Sequence, residues 1–130
     1  MELKGNEYQI GSLNAFDHLH VVRKLAPALP LVEGLVAERN AGKDMTMLTV
    51  FVISKLSDED SDYVISKCLS AVSRKQSSGY AKLMANGALM FNDLDVTDML
   101  KLTAQVIVEN LGDFFRTALS TLDGGAEESQ

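Results

Sequence analysis

Hydrophobic residues recur at helical spacing over most of the chain, and turn residues separate the segments in which they do so. The first segment follows Asn14, which can cap a helix, and Pro27 ends it. Its apolar positions lie three or four residues apart and form one helical face: Ala15, Leu19, Val22 and Ala26, widened by Phe16 and Leu25. A second, short helix is predicted from Pro30 to about Asn40.

The segment from Asp44 to Leu56 is largely apolar, with apolar residues on nearly all sides of a helix. Its middle, from Thr49 to Ile53, is rich in β-branched residues, which favour a strand. The apolar run is long for a strand, however, so we predict a helix. A helix that is apolar on nearly all sides is expected to be the central, buried one.

Ser57 and the acidic residues after it predict the start of another helix, because a hydroxyl caps the first turn and carboxylates are favoured there. Arg74 and Lys75 would end this helix, and residues 76–79 are predicted as a loop. The apolar stripe consists of Val64, Ile65, Cys68, Leu69 and Val72.

The last and longest helix is predicted from about Val96 to Leu122, with its cap within Asn92–Asp95. Gly112 is a candidate for a kink. The final residues, 123–130, contain no large apolar side chain, so we expect a disordered acidic tail after a single domain of residues 1–122. The stripe of this helix is Val96, Leu100, Thr103, Ile107, Leu111, Phe114, Ala118 and Leu122.

A β-hairpin is predicted at the N-terminus, with Gly5-Asn6 as a two-residue turn. In that register Lys4 faces Glu7, which is a favourable pair of opposite charges, and Leu3 faces Tyr8. A two-stranded hairpin is marginal alone, so its apolar face is expected to pack on the helices.

A second hairpin is predicted over residues 81–91 around Asn86-Gly87, a strong signal for a type I′ turn. This register places Met84 opposite Leu89 and leaves both faces of the hairpin apolar. One face can cover the helices, and the other needs a partner or a second layer of the same chain. The predicted fold class is therefore α+β, mainly helical, with two small hairpins and a long C-terminal helix.

The charge of the chain argues against two classes of partner. Its 18 acidic and 12 basic residues give a net charge of −6, and the basic residues are scattered. Nucleic-acid binding needs clustered Lys and Arg, and an anionic membrane surface would repel this chain. The N-terminus lacks the basic start and apolar run of a signal peptide, and the single cysteine excludes an internal disulfide. We therefore expect a cytoplasmic protein.

The residue types that usually bind metals, bind phosphate or act in catalysis form no recognisable site in this sequence. His18 and His20, two residues apart on a helix, point about 200° apart and cannot share a metal. Cys68 lies within an apolar stripe and is expected to be a buried hydrophobe. The acidic run 58–62 fits a helix N-terminus better than a calcium loop, and no phosphate-binding glycine motif is present. We expect no cofactor, no metal and no enzymatic activity, and so a binding role.

Two parts of the chain resemble tail assembly chaperones of long-tailed phages and prophages. The segment NEYQIGSLNAFDHLHVVRKLAPALP is similar to their start, in which a Y-x-I-x-x-L-x-A-F stretch leads into a helix ending in H-V-x-R-x-L-A-P-x-L-P. Later, Gly87–Asp93 is similar to a G-x-L-M-F-x-D stretch, and Glu109–Phe115 reads ENLGDFF. The matching N-terminal residues are Tyr8, Ile10, Leu13, Ala15, Phe16, His20, Val21, Arg23, Leu25, Ala26, Pro27, Leu29 and Pro30.

The resemblance implies a partner and a place of action. Such chaperones bind the tape measure protein, a very long helical chain, and keep it soluble in the host cytoplasm until tail tube subunits polymerise around it. A frameshift-extended form of the chaperone, the tail tube protein and further copies of the chain are additional partners that the resemblance implies. The main alternative is a structural head-tail connector or tail-completion protein of the virion, and a small enzyme or regulator without a known motif is a third.

A chaperone for an amphipathic client needs exposed apolar side chains. The candidates lie in the second hairpin and near the end of the ENLGDFF segment. The alternative is that all of them belong to the core. The candidate partner-binding residues are Leu83, Met84, Leu89, Met90 and Phe91, followed by Phe114 and Phe115.

Overall fold

The computed structural model describes the backbone of residues 1–128 and the side chains of residues 1–117. It confirms the predicted fold class, because helices dominate and a small antiparallel sheet accompanies them. The strands are β1 Glu2–Leu3, β2 Asn6–Ile10, β3 Val72–Gln76, β4 Gly79–Lys82, β5 Met84–Ala85 and β6 Ala88–Leu89. The helices are α1 Ala15–Leu25, α2 Leu29–Asn40, α3 Thr46–Ser54, α4 Asp58–Ser70 and α5 Val96–Glu128, with a 3₁₀ turn at Ala26–Ala28.

Helix α5 forms the centre of the molecule, and the prediction that the Asp44–Leu56 segment would be the central helix is wrong. Helix α5 packs against α1, α2, α3, α4 and strand β2. Helix α3 is indeed a helix, but it contacts α2 and α5 on one side only. A helix of nine residues is too short to pack against all of the other elements. The largest fully buried side chains are Val21, Leu25, Val32, Leu35, Val52, Val64, Leu69, Val72, Leu83, Leu102, Ile107 and Leu111.

Strand β3 replaces the predicted last turn of α4. The helix begins as predicted, with the Asp60 backbone N–H donating to Ser57 Oγ, but it ends at Ser70. The chain then pairs antiparallel with β2, with Tyr8 opposite Arg74 and Ile10 opposite Val72. Val72 is buried in the strand as it would have been in the helix, so the stripe alone could not distinguish the two. The sheet order is β1-β2-β3-β4.

The N-terminal hairpin exists, but its turn lies one residue earlier than predicted, so each residue of β1 pairs with a residue two positions away from the predicted one. Leu3 pairs with Asn6, so the turn residues are Lys4 and Gly5, with φ of +50° and +81°. A type I′ turn needs positive φ at both central positions. Gly5 occupies the second of these positions, where a glycine adopts positive φ at little cost. Lys4 occupies the first and adopts the left-handed conformation, which is less favourable for a residue with a side chain.

The second hairpin has the predicted turn and register. Asn86 and Gly87 have φ of +53° and +77°, and Met84 pairs with Leu89. Residues 81 and 82 belong instead to β4, so the hairpin is shorter than predicted. One hydrogen bond joins it to the sheet, in which the Leu83 N–H donates to the carbonyl of Val72 at 3.1 Å. A second closes the hairpin itself, in which the Met90 N–H donates to the carbonyl of Leu83 at 2.7 Å.

Helix α1 starts at the predicted cap but turns a different face inward. The Asp17 backbone N–H donates to Asn14 Oδ1 at 2.9 Å, as expected of a cap. Val21 and Leu25 enter the core, and of these Leu25 belongs to the predicted stripe. Leu19 and Phe16, two other members of that stripe, are 50% and 75% exposed, so their predicted burial is wrong. Because α1 is apolar over a wide arc, its sequence did not determine which side would be buried.

Helix α5 begins at Val96 as predicted, and Asp95 and Asp98 cap each other's backbone N–H. Val96 itself is 70% exposed, so its assignment to the buried stripe is wrong. The helix is continuous past Gly112, where a Cβ would meet the side chain of Val36 on α2 at 3.4 Å. The predicted tail of residues 123–130 begins within this helix, and residues 129–130 lie outside the described residues. The disorder of the tail and the boundary at Leu122 stay predictions.

Candidate partner-binding surfaces

Asn110 joins two of the three stretches on which the resemblance rests, the N-terminal one and Glu109–Phe115. Its Oδ1 accepts from the backbone N–H of Leu13 at 2.8 Å. Its Nδ2 donates to the carbonyl of Gly11 at 3.1 Å and to that of Val106 at 3.0 Å. The loop between β2 and α1 is thereby fixed to the middle of α5.

A cluster of charges fixes the turn of the N-terminal hairpin on the first turn of α5. The Lys4 ammonium lies 2.9 Å from carboxylate oxygens of both Asp95 and Asp98. These two contacts raise the pKa of Lys4 above its usual range. The predicted Lys4–Glu7 pair is therefore not formed, because Lys4 lies in the turn itself and its side chain reaches the first turn of α5.

Two of the carboxylates near this end of α5 give the fold a dependence on pH. The hydrogen bond from the Arg74 guanidinium lowers the pKa of Asp93, and the Asp98 backbone N–H, followed by Lys4, lowers the pKa of Asp95. An unfolded Asp has a pKa of about 4. The stability that these groups contribute is therefore present above pH ~4 and is lost as the pH falls through their lower folded-state pKa values.

We expect the urea midpoint to fall between pH 6 and pH 3, and Asp95→Asn to make that fall smaller. Asp95→Asn also removes one charged partner of Lys4, so its midpoint at pH 6 is expected to lie below that of the wild type. Asp62→Asn, on the exposed side of α4, serves as a control that keeps the wild-type pH dependence. An Asp95→Asn protein with an unchanged pH dependence would contradict this assignment.

The predicted hairpin residues divide between core and surface. Leu83 is fully buried, so it cannot contact a partner in the folded chain. Met84 and Leu89 are partly buried against the core, whereas Met90 is 54% exposed. Phe91 is partly buried as well. The Arg74 guanidinium lies 4.5 Å from the centre of its ring.

Of the two phenylalanines near the end of the described side chains, one is buried and the other is partly exposed. Phe115 is buried in the core, which removes it from the candidate surface. Phe114 is 44% exposed, and its ring packs edge-on against His18 at 5.6 Å and against Phe115 at 5.3 Å. Phe114 and Met90 are thus the most exposed of the predicted partner-binding residues.

A further apolar surface, which was not among the predicted partner-binding residues, lies on α3. Met47, Val50 and Phe51 occupy positions i, i+3 and i+4, so they share one side of the helix. Met47 is 62% and Phe51 52% exposed. We call these three residues the α3 face. The sequence did contain a sign of this surface. A short helix that is apolar on nearly all sides must leave one side uncovered when a longer helix forms the centre of the molecule.

Histidine and cysteine side chains are placed apart from one another. His20 packs edge-on against Tyr63, on α4, while His18 contacts Phe114. Cys68 lies in the core as predicted, and desolvation raises the pKa of its thiol to about 12. A thiol with that pKa stays protonated at neutral pH and is a poor nucleophile. Over the residues that the structure describes, no helix combines the length and hydrophobicity needed to cross a membrane.

A contiguous apolar patch on the surface of a protein often marks a site that binds another polypeptide. A comparison with family models identifies the family to which the chain belongs. The chain belongs to a family of phage tail assembly chaperones, because the family model described as phage tail assembly chaperone protein (TAC) matches residues 4–122. No curated protein and no solved structure matches the chain.

Proposed function

We propose that the protein binds the tape measure protein of its phage and keeps it soluble in the host cytoplasm while the tail assembles. The match to the chaperone family over residues 4–122 carries this proposal. The exposed side chains of Met90, Phe114 and the α3 face support it, because a long amphipathic helix needs apolar surface to dock on. The net charge of −6 would keep a complex with such a client soluble through self-repulsion.

The same proposal assigns the protein a non-catalytic role without a cofactor. Its further partners are proposed to be the tail tube protein, a frameshift-extended form of the chain, and other copies of itself, since many copies are needed to cover one long client. Neither nucleic acid nor a membrane is a proposed partner.

Co-expression with the tape measure protein of the same phage tests the proposal. We expect the soluble fraction of the tape measure protein to rise several-fold when the chaperone is present, and the two to co-purify. Co-expression of the chaperone with an unrelated aggregating helical protein is the control for a general effect on solubility. If the tape measure protein remains equally insoluble with and without the chaperone, the proposal is wrong.

The structural alternative, a connector or tail-completion protein, predicts a different result in mature particles. A chaperone leaves before the tail is complete, so we expect the protein to be absent from purified virions by mass spectrometry. Its presence there in stoichiometric copies would favour the structural role.

A further inference from the structure

We propose that the α3 face is a docking surface for an amphipathic helix whose apolar stripe is flanked by acidic residues. This inference rests on the proposed function, because it specifies the chemistry of the client segment that the chaperone binds. It also places the main contact on a part of the chain other than the second hairpin.

The apolar part of the surface is preorganised by the packing of α3. Thr49 and Val52 point into the core, and the Thr49 hydroxyl donates to the carbonyl of Met45 at 2.8 Å, which leaves the buried side of α3 without an unpaired hydroxyl. Gly34 of α2 allows a close approach, since a Cβ there would lie 3.1 Å from the Leu48 side chain. The opposite side of α3 therefore presents Met47, Val50 and Phe51 at fixed positions.

Lys43 and Lys55 flank α3 along the chain, although the chain as a whole is acidic. Lys43 precedes α3, and Lys55 follows Phe51 by four residues, about one helical turn. Lys101 of α5 shares an open cleft of about 380 Å³ with Lys43 at the N-terminal end of α3. Within the described side chains none of the three forms a salt bridge. The cleft is also lined by Met1, Leu3, Gly42, Asp44, Met45, Thr46 and Gln105.

The nearest acidic groups are engaged or belong to another element. Asp44 accepts hydrogen bonds from both the backbone N–H and the hydroxyl of Thr46, at 2.9 and 2.7 Å. Asp58 and Glu59 lie in the first turn of α4, where the helix dipole favours their charge. Lys101 already interacts electrostatically with Asp44. Lys43 and Lys55, at the two ends of α3, are therefore the lysines available to carboxylates of a partner, and they give the surface its preference for acidic flanks.

The size of the surface favours one helix of a longer partner over a second copy of this chain. The exposed parts of the three side chains amount to roughly 300 Å², given about 150–250 Å² for an aromatic side chain. A stable interface buries about 800 Å² on each partner. A symmetric dimer through this face alone would fall well short of that area. A helix fits better, because its i, i+3, i+4 and i+7 residues contact a narrow apolar surface and further copies can bind along the same client.

Two designed peptides test the inference on the full chain. Both carry the same apolar helical stripe, with Glu flanks in one peptide and Lys flanks in the other. Fluorescence anisotropy is expected to show at least tenfold tighter binding of the Glu-flanked peptide. Phe51→Asp is expected to weaken that binding at least tenfold, and the double variant Lys43→Glu, Lys55→Glu to reverse the preference. Tyr80→Asp, a change at a similarly exposed residue on β4, is the matched control and should bind as the wild type does.

A measurement on the wild-type chain covers the case in which a variant fails to fold. With ¹³C-labelled methionine methyl groups, the Glu-flanked peptide is expected to shift the Met47 resonance and leave that of Met90 in place. A shift of Met90 alone, equal binding of the two peptides, or no binding of either would overturn the inference.

The tape measure protein separates this inference from the proposed function. If the wild-type chain solubilises it and Phe51→Asp does so equally well, the function stands and the α3 face is the wrong surface. If the wild-type chain does not solubilise it but binds the Glu-flanked peptide through Met47, the docking surface stands and the proposed client is wrong.

Discussion

Replacement of Leu83 by alanine is expected to lower the free energy of unfolding by about 2–5 kcal/mol. The Leu83 side chain is fully buried, so its loss removes apolar contacts and leaves a cavity where the second hairpin meets the core. Its backbone also joins the hairpin to β3, which limits how far the hairpin can move to fill the space. Urea denaturation followed by circular dichroism measures the change.

Met90→Ala is the matched control for Leu83→Ala. Met90 follows the same hairpin but is 54% exposed, so we expect a change within about 0.5 kcal/mol. Client binding by the folded fraction of Leu83→Ala should equal that of the wild type, because the side chain does not reach the surface. A Leu83→Ala protein of wild-type stability that no longer binds the client would show that Leu83 belongs to the interface after all.

The features that the sequence predicted well are those that depend on near neighbours. Asn14 and Ser57 cap their helices because a side-chain oxygen reaches a backbone N–H three residues later. Asn86-Gly87 makes its turn because these residues accept positive φ. Each of these interactions is complete within a few residues, so the local pattern contains all the information that it needs.

The sheet could not be predicted in the same way, because its hydrogen bonds join distant parts of the chain. Val72–Gln76 becomes a strand since β2 offers it a partner, and nothing next to it in sequence indicates that partner. The position of Gly11 shows how closely the two segments meet: its N–H donates to the carbonyl of Ala71 at 2.7 Å, and a Cβ there would lie only 2.8 Å from the same oxygen.

The exposure of the candidate partner-binding residues could be predicted only in part, for a related reason. Apolar composition marked the second hairpin and the Phe114-Phe115 pair, but it could not tell which of two adjacent phenylalanines faces α1 and which enters the core. The α3 face was missed because hydrophobicity on all sides of a helix was taken to mean burial on all sides. Which helix is central depends on the relative lengths of the helices, and α5 is much longer than α3.

Asn110→Ala is expected to destabilise the protein by about 2–3 kcal/mol, although the residue is only partly buried. The substitution removes the acceptor for the Leu13 N–H and the donor to the Gly11 carbonyl, and both groups lie in a loop that has little other fixation to α5. Gln105→Ala is the control on the same helix. Its side chain donates only to Glu109, at 2.7 Å on the surface, so we expect a change within about 0.5 kcal/mol.

Asn110→Asp tests whether the hydrogen bonds, and not the shape of the side chain, hold the loop. The carboxylate keeps the acceptor for Leu13 but brings a negative oxygen against the carbonyl of Gly11. We expect a loss at pH 7 at least as large as that of Asn110→Ala, and a smaller difference from the wild type at pH 3. At the lower pH the protonated carboxyl group can again donate to that carbonyl. If both variants match the wild type at pH 7, the loop is held by packing alone, and Asn110 does not connect the N-terminal family stretch with Glu109–Phe115.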